Sequence, residues 1–170
     1  MKLLRRRERV PDEVRAAVPL LPGERILSVC LSGEVGYLVA SDHALYRVEL
    51  PAVERLRWDL IDRAAWDPPT FDIRIRDSDG EGSGTQRRVW PADQNGDLPA
   101  VVRDRVTGSI LTNAAITVPG GRARIVARRN ADTGEVRWQV EFGPGVDPAD
   151  PAVARAAERE LTDLRSRLGV

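Results

Sequence analysis

Ser41-Asp42-His43 contains the three residue types of a hydrolytic triad, and His43 is the single imidazole of the chain. A triad is a relay assembled in space, and three adjacent residues in a turn cannot hydrogen-bond in that relay. Ser and Asp at such a place satisfy nearby backbone groups instead. The segment is therefore read as a turn between two strands, and no catalytic residue is assigned. Asp77-Ser78-Asp79-Gly80-Glu81-Gly82 opens like a calcium loop, with acids at its first, third and fifth positions and glycine at its sixth. The twelfth position, which should supply a bidentate glutamate, is Arg88, and no flanking helices are expected. A hairpin tip is the expected role, with no metal. Gly80, Gly82 and Gly84 lack the spacing and the following helix of a phosphate-binding or dinucleotide loop, so no cofactor is expected. Cys30 is alone, which excludes a disulfide framework and a Cys/His zinc site; within an apolar strand it packs as a small hydrophobe.

Arginine offers more. Arg122, Arg124, Arg128 and Arg129 form a run with no acid inside it. On a strand, the first three share one face and Arg129 takes the other. These four are the candidate anion- or partner-binding residues. Two readings compete: contact with an anion or nucleic acid, or cross-strand pairing with Glu135 and Glu141, which contributes little when exposed. A basic arm, Lys2 to Arg9, could add a nucleic-acid contact. Yet arginine outnumbers lysine 25 to 1 along the whole chain, amid abundant Ala, Val, Gly, Pro and Asp, which fits a GC-rich coding sequence better than a binding role. Lys plus Arg equals Asp plus Glu at 26 each, so no net field draws the chain to DNA or an anionic membrane. Val10-Pro11-Asp12-Glu13-Val14-Arg15 is too polar for a secretory core, and no window approaches a membrane span. A cytoplasmic protein is expected.

The elements that would position these residues follow from periodicity. At 170 residues, one domain is the simplest expectation. Pro11 to Leu20 reads as a short helix with Val14, Ala17 and Val18 on one side. Strands are expected over Arg25 to Leu31, Val35 to Ala40 and Ala44 to Leu50; the third puts Ala44, Tyr46, Val48 and Leu50 on one face and Arg47 and Glu49 on a wet one. Leu56, Trp58, Ile61, Ala65 and Trp66 suggest one or two short strands or a kinked one. Asp67-Pro68-Pro69-Thr70 is a turn. Phe71 to Arg76 and Thr85 to Trp90 form a hairpin. Asp97 caps a helix over 98–111, weakened by Gly108. A second hairpin pairs Arg122 to Arg129 with Val136 to Phe142. The last helix, 151–168, is capped by Asp150 and carries Val153, Ala157, Leu161, Leu164 and Leu168 as one stripe. The four tryptophans are read as core anchors.

Leu21-Pro22-Gly23-Glu24-Arg25, Tyr37-Leu38-Val39-Ala40-Ser41-Asp42 and Ala44-Leu45-Tyr46, followed by Ile61 and Trp66-Asp67, resemble the opening half of a bacterial PH-like (pleckstrin-homology-like) domain. The hairpin at 123–129 and Asp147-Pro148-x-Asp150-Pro151 resemble a C-terminal unit found with it in high-GC bacteria. The resemblance covers most of residues 21 to 168. It implies a mainly β (α+β) fold, an antiparallel strand barrel or sandwich with a closing helix, plus a C-terminal β-hairpin and helix. It divides the chain into a basic arm and short helix (1–20), the PH-like domain (21–118) and the C-terminal hairpin and helix (119–170) packed on that domain. It also implies binding or scaffolding rather than a reaction. Eukaryotic relatives hold phosphoinositides with bases in the first hairpin loop; here that loop, Ser32-Gly33-Glu34, has an acid and no base. The expected function is a non-catalytic interaction module with a protein partner, with nucleic-acid or anion binding as the alternative. A fold alone does not fix which.

Overall fold

A computed structural model describes residues 10–76, 85–93 and 96–169. The chain divides into two compact units, residues 1–108 and 109–170. Within the first, β1 (Ile26–Ser32), β2 (Gly36–Ser41), β3 (Ala44–Glu49) and β4 (Ala52–Arg57) form an antiparallel meander. A 3-10 turn, Trp58–Leu60, leads into a second antiparallel sheet of β5 (Ile61–Asp67), β6 (Thr70–Arg76) and β7 (Thr85–Pro91). The apolar stretch 56–66 is thus two strands separated by a helical turn. Helix α2 (Leu98–Gly108) follows, and α1 (Asp12–Ala17) precedes the first sheet. The protein is mainly β, and each sheet is open: the ladders stop at β4 and β5, so the described strands close no barrel.

Alternation places Leu38, Ala40, Leu45 and Leu56 of the first sheet in one core with Phe71, Ile73 and Trp90 of the second and Leu98, Val102 and Val106 of α2. The face of β3 expected to be wet, that of Arg47 and Glu49, is the one that carries Leu45 into this core, whereas Ala44, Tyr46 and Val48 occupy the other side of the first sheet. Val39, Ala44, Tyr46 and Val48 pack there against Val10, Val14 and Val18 of the N-terminal segment, forming a second core. Both faces of β2 and β3 are therefore buried, which explains their near-continuous apolar runs.

The second unit contains β8 (Ile110–Val118), β9 (Gly121–Arg129) and β10 (Val136–Phe142), in sheet order β10-β9-β8, and α3 (Pro151–Leu168). The helix expected over 98–111 ends at Gly108, and the chain after it turns into β8, which pairs along its length with β9. That pairing puts the boundary between units after Gly108 rather than at 118. Asp150 accepts from the Ala152 N–H (2.8 Å), Pro151 starts α3, and Gly169 ends it at φ 68°, a left-handed conformation suited to glycine. Val153 and Ala157 are buried against Ile116, Val118 and Ile125, with Leu161 and Leu164 half-buried beside Trp138, while Leu168 at the end of the stripe is exposed.

Candidate functional site

The residues that looked chemically capable turn out to hold backbone. Ser41 is fully buried, and its Oγ accepts from the N–H groups of His43 (3.1 Å) and Ala44 (2.8 Å). The same hydroxyl bonds the buried Glu24 carboxylate, which also accepts from the Tyr46 hydroxyl (2.8 Å) and the Leu21 N–H (2.8 Å). Arg55 closes the network, donating from Nε to the Tyr46 hydroxyl (2.9 Å) with its guanidinium 5.7 Å from the phenol ring centroid. Burial first, then Glu24 as acceptor, push the Tyr46 phenol up to about 12 against the opposing pull of Arg55. Asp42 is bound by the Arg25 N–H (2.8 Å) and guanidinium (3.4 Å) and returns its own N–H to the Arg25 carbonyl (3.0 Å). Burial raises that carboxyl, but the Arg25 hydrogen bonds outweigh it and hold the group below its ordinary range. Glu24, Arg25, Ser41, Asp42 and Tyr46 belong to the segments that carry the PH-like resemblance, and together they tie the chain before β1 to the β2–β3 turn.

On β9, Arg122, Arg124 and Arg128 share one face and Arg129 takes the other. Arg124 donates to Glu141 across the strands (2.9 Å from Nε), as the pairing reading expects, whereas Glu135 accepts from Thr133 (3.1 Å) in the hairpin turn. Arg128 is buried and donates to the Ser109 hydroxyl (2.9 Å). Arg122 and Arg129 are exposed, on opposite faces. The calcium-like loop at 77–82, the glycines at 80, 82 and 84 and the basic arm at 2–9 lie outside the described residues. Among those described, no group of three or more His, Cys, Asp or Glu is placed to hold a metal, and no helix is long and apolar enough to cross a membrane.

A concave feature of the first unit lies between α2 and the second sheet. A groove of about 470 Å³ is lined by Ala64, Trp66 and Phe71 from the sheet and by Pro99, Val102 and Arg103 from the helix. Phe71 and Val102 are buried. Trp66 is not the core anchor expected of it: 38% of it remains exposed, with its ring stacked on Phe71 at 6.4 Å and 30°. Trp58 and Trp90 are buried, and Trp138 is half-buried beneath Arg165. Asp97 and Arg103, both exposed, also line the groove. Asp97 stands at the start of α2, where its carbonyl accepts from the Val101 N–H (3.0 Å), while its carboxylate turns to β1 and accepts from the Ser28 hydroxyl (2.5 Å). Gly96, at φ 149°, supplies the backbone conformation that admits this approach. Trp66 and α2 are some thirty residues apart, so no local pattern could have revealed the groove.

Comparison with protein-family models, with curated proteins and with solved structures yields no match.

Proposed function

We propose that the first unit is a PH-like binding module, cytoplasmic and without chemistry of its own, and that it takes a peptide segment of a partner protein in the groove between β5 and α2. The fold half of this reading is supported by order and count: four antiparallel strands, then three, then one helix whose Leu98, Val102 and Val106 enter the core shared by both sheets. The functional half is carried by Trp66. A large aromatic left part-exposed in a concave, mostly apolar site, with two charged groups in its lining, is the arrangement that ligand and peptide sites share. An indole fixed by stacking loses little further entropy when a partner covers it, which is why tryptophan is enriched among residues that dominate binding energy.

Selection of a phage-displayed random peptide library on the full chain tests the reading. Enriched peptides should bind with intrinsic tryptophan fluorescence changes, and Trp66→Ala should weaken them about tenfold or more, while Arg124→Ala, in the other unit, should leave them unchanged. Peptides that bind Trp66→Ala as well as the natural chain, or a selection that enriches none, would overturn it.

A further inference from the structure

The strand register of the second sheet places three arginines in one row. Arg63 of β5 is directly opposite Arg74 of β6, and Arg74 is directly opposite Arg87 of β7. All three are exposed, on the face away from Phe71, Ile73 and Trp90. Directly opposed side chains have Cβ atoms about 4.5–5.5 Å apart, and like charges so placed destabilise a sheet. The nearest carboxylate, Asp72, is hydrogen-bonded to Arg87 alone of the row. Its oxygens accept from Arg87 Nε (3.0 and 3.1 Å) and Nη2 (2.8 Å), and these hydrogen bonds, with the charges of Arg74 and Arg63 behind them, hold its carboxyl below the ordinary range. Arg76, on the same face, is bound by Asp62 at 2.6 Å. Among the described residues, Arg63 and Arg74 have neither an ion-pair nor a hydrogen-bond partner.

We infer that Arg63 and Arg74 form a clamp for one phosphomonoester dianion, with the Arg87–Asp72 pair as its fixed wall. Each guanidinium presents five donors in a planar fork matched to phosphate oxygens. A phosphomonoester carries about −1.5 to −2 charge and three acceptor oxygens, enough to neutralise and bridge two forks, whereas a carboxylate has one charge and two oxygens, which one fork consumes. A long polyanion fits less well. Asp62, Asp67 and Asp72 keep the excess positive charge of this face small, and the aromatic residues Trp66, Phe71 and Trp90 share the opposite face, so no platform for base stacking lies beside the row. Ala65 and the half-exposed Val89 flank Asp72 and offer apolar contact to whatever bears the phosphoryl group. This clamp is independent of the groove, which opens on the other side of the sheet.

Amide NMR titration of the full chain decides the matter, using inorganic phosphate, a short phosphoserine peptide and the same peptide unphosphorylated. Both phosphates should shift the amides around residues 63 and 74, and the unphosphorylated peptide should not. Arg74→Thr should weaken binding about tenfold or more, Arg63→Gln with Arg74→Gln should abolish it, and Arg124→Ala should have no effect. A phosphoserine peptide that binds tighter than inorganic phosphate identifies a phosphorylated side chain as the source; equal binding identifies free phosphate. Because Arg74 sits between two like charges, Arg74→Thr should also raise the thermal midpoint. Shifts spread evenly over all exposed arginines, no shift at 63 and 74, binding untouched in the double variant, or a lowered midpoint in Arg74→Thr would each overturn the clamp.

Discussion

Glu24 is the residue whose type most misleads. A carboxylate beside a serine and a tyrosine suggests acid–base chemistry, but its side chain is wholly buried and its oxygens are occupied by the Ser41 and Tyr46 hydroxyls and the Leu21 N–H, with Arg55 at 3.9 Å. Its work is structural. Glu24→Ala would leave the Tyr46 hydroxyl and the Arg55 charge without their acceptor, and should cost about 2–4 kcal/mol, read from the urea midpoint. Tyr46 makes a pH-dependent counterpart. Its phenol rises to about 12 in the fold from 10.0, so the folded chain binds the proton more tightly than the unfolded one. The associated stability is complete below pH 10 and drains away as pH climbs towards 12. In a Tyr37→Phe background, where Tyr46 is the single phenol, its phenolate absorbance should develop well after that of free tyrosine and alongside unfolding. A phenol that titrates near 10 with the fold intact would refute this.

At the level of strands and helices, legibility followed periodicity and failed where a third partner intervened. The hairpins β6–β7 and β9–β10 and helix α3 could be read because period two or 3.6 persists for a full element and turn residues bound it. β8 could not. Ile110 and Leu111 continue the helical spacing of α2, and the strand that follows is rich in small residues with few buried positions, so only its pairing with β9 defines it. β3 misled for a related reason: its alternation suggested a wet face at Arg47 and Glu49, but Leu45 on that face enters the core shared with the second sheet, while α1, remote in sequence, covers the apolar face through Val14. A six-residue helix has no stability of its own, so its order depends on this packing. Val14, completely buried, is the residue to remove. Val14→Ala should destabilise the first unit by about 2 kcal/mol, and Val14→Asp by more, because a buried carboxylate would lack a partner. Hydrogen exchange should then accelerate in β2 and β3, whose second face is uncovered. An unchanged exchange pattern would mean α1 is a passive appendage.

Across the whole chain, what could not be read from the sequence is where its sites lie. The run at 122–129 drew attention because its arginines are close in sequence, and in the fold Arg124 pairs with Glu141 while the buried Arg128 bonds Ser109. Arg63, Arg74 and Arg87 are separated by eleven and thirteen residues, and only the β5–β6 and β6–β7 ladders together align them. A shift of one residue would move them to the opposite face, which is why register carries information that composition does not. The two cores of the first unit and the single core of the second share no residue, and this partition has a measurable consequence. Ile73 and Ile125 are each completely buried, one in each unit. Truncating either to Ala should cost about 2–5 kcal/mol. Hydrogen exchange on the full chain should place the loss from Ile73→Ala within residues 10–108 and that from Ile125→Ala within 109–169, since local opening follows cooperative units. If either substitution accelerated exchange evenly along the chain, the two units would unfold as one cooperative body.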